Sequence, residues 1–213
     1  ALGTMTWGRD TDEIEAAEQL RSFLDAGGNL IDTAAIYGDG DSERVIGGFL
    51  NTLVSREDLV IATKAGISNR DGARIINNSR AALLNELDKS LSRLGVTEID
   101  LWQVHTWDEN IPLEETLSAL DYAVASGRVR YVGLSNFSGW QLARAATLQN
   151  PLFGKTSVIS IQSEYSLLNR KIEEEIIPAA LELSVGLLAW SPLGRGVLTL
   201  SLIHISEPTR PLY

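Results

Sequence analysis

The sequence predicts an α/β chain folded as a (β/α)8 TIM barrel, incomplete, with about seven strands and the eighth missing. Three observations predict it. Short β-branched, apolar runs alternate strictly with amphipathic stretches, which implies a parallel sheet. The runs are apolar nearly throughout, as strands covered on both faces are. Their exits carry, in order, Asp32, Lys64, His105, Ser135-Asn136, Gln162 and Trp190-Ser191. A barrel gathers residues from many strand ends onto one face. An open doubly wound sheet would instead place its dinucleotide site on a glycine-rich first turn, and Gly3-Thr4-Met5-Thr6-Trp7-Gly8 lacks that spacing.

The strand runs are Ala1–Thr6, Asn29–Thr33, Leu59–Lys64, Ile99–His105, Val129–Asn136, Ser157–Gln162 and Gly186–Ser191. The helical stretches are Thr11–Ala26, Ser42–Leu50, Ser79–Leu94, Leu113–Ser126, Ser138–Leu148 and Lys171–Leu183. Gly27-Gly28, Gly95 and Gly127 follow helices where a left-handed residue closes the last turn. Ser138 and Asp41 or Ser42 are predicted N-caps. Ala65–Asn78 reads as a loop that sets specificity. Glu173-Glu174-Glu175 reads as a solvated helix start.

Composition narrows the function. The 213 residues carry a formal charge of −10, which argues against nucleic acid and anionic membrane surfaces as partners. There is no Cys, so disulfides, Cys-ligated zinc and thiol catalysis are excluded. No apolar run has membrane-spanning length. No His/Asp/Glu spacing suggests a metal site.

The strand ends carry the chemistry. Asp32 and Tyr37 lie in Ile31-Asp32-Thr33-Ala34-Ala35-Ile36-Tyr37-Gly38, and Lys64 closes the next run. A buried Lys needs a counter-charge, which Asp32 supplies. An ammonium beside a phenol favours the phenolate, so Tyr37 can give a proton to an oxygen gaining negative charge. His105, one strand further, can hydrogen-bond that oxygen. Each residue alone reads equally well as a structural ion pair, a core histidine or loop packing; the set together reads as a site.

Ile31–Gly38, Lys64, His105, Gly133-Leu134-Ser135-Asn136 and Ser191-Pro192-Leu193-Gly194 resemble, in order and spacing, the motifs of the aldo-keto reductase superfamily. Gln103-Val104-His105 and Pro112–Thr116 resemble the branch of bacterial reductases and potassium-channel β-subunits. The resemblance covers residues 1 to about 199. It implies a cytoplasmic oxidoreductase that moves a hydride between NADPH and an aldehyde or ketone. Tyr37 would be the general acid, Lys64 its activating partner, Asp32 the anchor of Lys64, and His105 the donor that orients the carbonyl. Ser135, Asn136 and Gln162 would hold the nicotinamide carboxamide, and Trp190 would stack on the ring. Ser191, Leu193 and Gly196 would border the pyrophosphate, with Thr4 and Met5 near the cofactor. Trp7 and Trp107 are candidates for lining the substrate pocket.

The resemblance also marks departures. The run at Ala1 reads as clipped. Residues 1–199 read as one partial barrel domain and Leu200–Tyr213 as a non-native tail, because Leu200–Arg210 resembles a translated sequencing-library adapter. His204 therefore receives no role. A barrel lacking its eighth strand would leave unpaired edges, so the chain as written is expected to be aggregation-prone or only partly folded. The family reads the adenosine 2′-phosphate beyond the seventh strand, so NADPH over NADH rests on the resemblance. Two other functions stay open: a regulatory subunit that holds nicotinamide and docks on a partner, and a lyase using Lys64 as a Schiff base.

Overall fold

The computed structural model describes residues 1–199. Its elements are β1 (Leu2–Gly3), α1 (Glu13–Asp25), β2 (Leu30–Asp32), α2 (Asp41–Phe49), β3 (Val60–Ala65), β4 (Ile67–Arg70), β5 (Ala73–Ile76), α3 (Arg80–Leu94), β6 (Ile99–Val104), α4 (Leu113–Ala125), β7 (Val129–Ser135), α5 (Gly139–Leu148), β8 (Val158–Glu164), α6 (Ile176–Glu182) and β9 (Gly186–Trp190). Seven strands pair in parallel in the order β1-β2-β3-β6-β7-β8-β9. Each successive parallel strand joins its predecessor's edge, so the sheet curls into a nearly closed, incomplete (β/α)8 barrel. No pairing joins β9 to β1 among the described residues.

The main apolar layer lies between strands and helices. Ile31, Ile61, Val132, Leu134 and Ile161 from the strands meet Leu20, Leu83, Leu87, Leu120 and Leu142 from the helices, all fully buried. Burying one such side chain contributes about 1.5–3 kcal/mol. The barrel interior is more polar. The strand register aligns Lys64 with Gln103, Gln103 with Gly133, and Gly133 with Ser160. A Cβ on Gly133 would lie 2.1 Å from Ser160 Oγ and 3.2 Å from Gln103 Cγ, so glycine is what lets both side chains share this layer.

Three expectations need correction. The segment 65–78 is no simple loop: β4 and β5 form an antiparallel hairpin. Asp71 and Gly72 both have positive φ, which matches the twist of a two-residue hairpin turn. The helix expected from Lys171 begins only at Ile176, after a 3-10 turn over Lys171–Glu173. Pro178 has no N–H to give the carbonyl of residue 174 and its ring would crowd it, so Pro178 fits only a first turn. Glu173 there accepts from Tyr165 and Arg170, and Glu175 accepts from the Trp140 backbone, so two of the three glutamates are tied down. Finally, α2 is entered through left-handed Gly40, not a side-chain cap at Asp41 or Ser42. The expected left-handed closures at Gly27, Gly95 and Gly127 are present. The sequence expectations for Leu200–Tyr213 and His204 lie outside the described residues.

Candidate active site

The strand exits meet at one mouth of the barrel. β2 delivers Asp32 and the loop after it delivers Tyr37. β3 delivers Lys64, and β6 leads directly into His105. The chain turns at Tyr37 because its N–H returns to the Ala34 carbonyl at 3.0 Å. Gly38, Asp39 and Gly40 then follow in left-handed conformation. At Gly40 a Cβ would strike Arg93 Cδ at 2.5 Å, so this reversal depends on glycine.

Lys64 is completely buried, and its ammonium donates to Asp32 Oδ2 at 2.7 Å and to the Thr33 carbonyl at 2.8 Å. Two of its three N–H bonds are thereby committed. The Lys64 Nζ lies 5.3 Å from the centre of the Tyr37 ring, and the His105 ring stands edge-on to Tyr37 at 6.0 Å. The phenol, ammonium and imidazole therefore form one cluster. Asp32 is held from a second side: Gln162 Nε2 donates to Oδ1 at 2.8 Å, and Gln103 Nε2 approaches the same oxygen at 3.5 Å.

His105 resists protonation. Burial, reinforced by the positive charges of Lys64 and Arg74, lowers its pKa from the usual 6.5 to about 3. The imidazole is thus neutral across the physiological range and can donate one hydrogen bond. Its Nδ1 is buried without a partner, which leaves Nε2 as the ring's route to the cleft.

The remaining strand ends form a linked polar rim. Asn136 has positive φ, and its N–H donates to the Gln162 carbonyl at 2.9 Å. Its Nδ2 donates to the His105 carbonyl at 2.9 Å and to Ser135 Oγ at 3.0 Å. Its Oδ1 accepts from the Trp190 indole at 3.0 Å. One side chain thus ties β6, β7 and β9 together, with β8 held through its backbone. The loop after β9 has positive φ at Ser191, Gly194, Arg195 and Gly196, and Leu193 is exposed on it. Turns of this kind aim backbone N–H groups at anions.

The pattern of the aldo/keto reductase family matches residues 1–207. The chain belongs to this family. Among curated aldo/keto reductase relatives, it is 40% identical over 207 residues to the uncharacterized oxidoreductase YrpG of Bacillus subtilis, covering 92% of this chain and 63% of that protein. It is 35% identical over 199 residues to the aldo-keto reductase YhdN of the same organism, covering 93% and 58%. It is 33% identical over 208 residues to the aldo-keto reductase NECHADRAFT_45914 of Fusarium vanettenii, covering 87% and 56%. The chain therefore spans 56–63% of these relatives' lengths.

Within this aldo/keto reductase chain, the expected site residues fall into two groups. Asp32, Tyr37, Lys64, His105, Ser135, Asn136, Gln162 and Trp190 are brought together through the contacts above. Others stand apart. Trp7 was expected at the substrate pocket, yet it is fully buried, edge-on to Phe49 at 5.9 Å, with its indole N–H on Gln19. It offers no surface to a ligand. Thr4 is also fully buried; its hydroxyl donates to the Asp32 carbonyl and lies 2.7 Å from Ser42 Oγ, so it braces the end of β2. Met5 is exposed. Trp107 is half-buried between Phe137 at 5.3 Å and Trp140 at 5.5 Å. Gln103 was missed as a site residue. Its signal was its position: two residues before His105 on the same strand, it must share that side chain's inward direction.

Proposed function

We propose that the protein reduces aldehydes or ketones to alcohols with NADPH, Tyr37 acting as general acid. The observation that carries this reading is the cluster in which a phenol meets both a buried, anchored ammonium and a neutral imidazole. No metal-binding group of three or more His, Asp or Glu side chains occurs among the described residues.

The rim suits a nicotinamide. Its carboxamide needs both donors and acceptors, and Ser135, Asn136 and Gln162 combine them. Gln162 commits its nitrogen to Asp32, and its amide oxygen has no recorded partner among the described residues. Ser135 Oγ accepts from Asn136 and keeps its own proton to donate. Trp190 offers an indole face, its N–H anchored on Asn136. When bound, the cofactor supplies the hydride that adds to the carbonyl carbon. The chain's own residues manage the oxygen. His105 donates a hydrogen bond to it, and Tyr37 gives it the proton that completes the alcohol. Lys64 stabilises the phenolate left behind, while Asp32 fixes Lys64 in place. Because His105 is neutral, it orients the carbonyl without competing as the acid.

Stopped-flow loss of NADPH absorbance with a neutral aromatic aldehyde tests this. We expect Tyr37→Phe to slow the step by about 10²–10⁴-fold while leaving NADPH affinity unchanged. Tight NADPH binding with no oxidation in the unaltered protein would instead favour a nicotinamide-binding regulatory subunit.

A further inference from the structure

Apart from the charge of Arg74, which helps keep His105 neutral, the hairpin of β4 and β5 has no part in the chemistry described so far, yet it stands at the barrel mouth. Its register places Asn69 directly opposite Arg74, so the two side chains share one face. Asn69 Nδ2 donates to Asp39 Oδ1 at 2.8 Å, and Asp39 lies on the reversal just after Tyr37. The face bearing Arg74 is therefore turned to the loop that carries the acid. Ser68, Arg70 and Ile75 of the opposite face, with Asn69 at the margin, line a cleft against Ala82, Glu86 and Lys89 of α3, and Arg74 is not among its lining residues.

Arg74 is exposed and makes no salt bridge among the described residues. Its charge nevertheless reaches His105, as does that of Lys64. Of these two cations, Lys64 is buried and committed to Asp32 and Thr33, whereas Arg74 is uncommitted. A substrate whose carbonyl oxygen sat on His105 and Tyr37 would point the rest of its body outward toward the hairpin. In a chain of net charge −10, Arg74 is an uncommitted guanidinium on the hairpin face turned toward the Tyr37 loop.

We propose that Arg74 is a specificity-determining residue that selects carbonyl substrates carrying an anionic group, a carboxylate or phosphate, by pairing with it at the barrel mouth. This rests on the carbonyl-reduction reading above. A guanidinium pairs with either anion through two parallel N–H bonds, which lysine cannot reproduce.

The probes are 4-carboxybenzaldehyde and its neutral methyl ester, methyl 4-formylbenzoate, compared in the full-length protein with NADPH. We expect kcat/KM to favour the acid by about tenfold, the range of a charge-assisted hydrogen bond discounted for exposure. Arg74→Ala should bring the acid-to-ester ratio to about one, Arg74→Lys should restore part of it, and Arg74→Glu should invert it. Added salt should shrink the ratio in the unaltered protein. In parallel, tryptophan fluorescence would measure binding of the corresponding alcohols, acid and ester. An acid-to-ester ratio near one in the unaltered protein, or one untouched by Arg74→Ala, overturns the proposal. Arg74-dependent preference in binding without NADPH oxidation supports the anion site and sinks the reductase reading instead.

Discussion

Two buried ion pairs lie close together in this chain, and they are built differently. Glu43 of α2 is fully buried, with one oxygen accepting from Thr63 at 2.6 Å and the other from Arg93 of α3 at 2.6 Å. Arg93 also reaches Glu86 at 2.7 Å and Ser90. Both carboxylate oxygens and two of the three guanidinium nitrogens are spent within the protein, and the pair serves as a bolt between helices and strand. The Asp32–Lys64 pair instead leaves one ammonium N–H uncommitted and stands beside a tyrosine and an imidazole. A closed pair reads as architecture; an unfinished one reads as chemistry.

Substitutions can break this contrast. The largest stability effect should come from Glu43→Ala, which leaves Arg93 with Glu86 as its one carboxylate partner and takes the acceptor from buried Thr63; breaking this pair should cost about 3–5 kcal/mol in urea unfolding. The reduction rate per folded molecule should stay unchanged. Lys64→Met should do the reverse. Asp32 keeps Gln162 and Gln103 as donors, so less stability is lost, while the proposed hydride step slows by about 10²–10⁴-fold. If both substitutions affected rate and stability alike, the distinction between the pairs would collapse.

A smaller effect sharpens the site itself. His105 binds a proton less readily folded (pKa about 3) than unfolded (6.5), so the unfolded chain takes up the proton first as pH falls. The stability it contributes is complete above about 6.5 and is lost progressively as pH drops toward 3. Between about pH 7 and pH 5 the unaltered protein should lose about 2 kcal/mol more unfolding free energy than His105→Gln. Equal pH dependence in the two proteins would mean that His105 is solvated and charged near pH 5.

The smallest change concerns the rim. Trp190→Phe keeps an aromatic face but leaves Asn136 Oδ1 without its indole donor. It should weaken NADPH binding by about 0.5–1.5 kcal/mol, read by fluorescence titration. A loss confined to Trp190→Ala would assign the residue's effect to stacking alone.

Much of this was legible in the sequence, for identifiable reasons. The strands announce themselves because both faces are covered, and the inward polar exits interrupt them at regular places. The barrel's order followed from strict alternation, and the candidate cluster of Asp32, Tyr37, Lys64 and His105 from residue types at those exits. What stayed hidden depended on pairing. Glu43 and Arg93 look like ordinary helix-surface charges until α2 and α3 are laid side by side. The hairpin was concealed by Ser68-Asn69-Arg70, which lacks β propensity; only Asp71-Gly72 betrays it, as a two-residue turn requiring positive φ twice. Arg74 could not be assigned before that hairpin was. Trp7 is a pocket candidate only through the resemblance; Phe49 and Gln19 draw it into the core.

Asn136 carries a consequence for how this lineage can change. Its left-handed backbone admits few residue types at little cost, and its side chain serves three partners at once. Glycine would keep the backbone and drop the contacts. Aspartate would keep the shape but set a carboxylate against the His105 carbonyl. No single step away from asparagine is neutral, whether or not the protein still turns over substrate. A descendant with no use for the proposed reduction would therefore keep this residue as scaffold, and its persistence in a distant homologue would say little about catalysis. Tyr37, whose hydroxyl has no recorded hydrogen bond among the described residues, is the position where drift would reveal that selection for chemistry had ended.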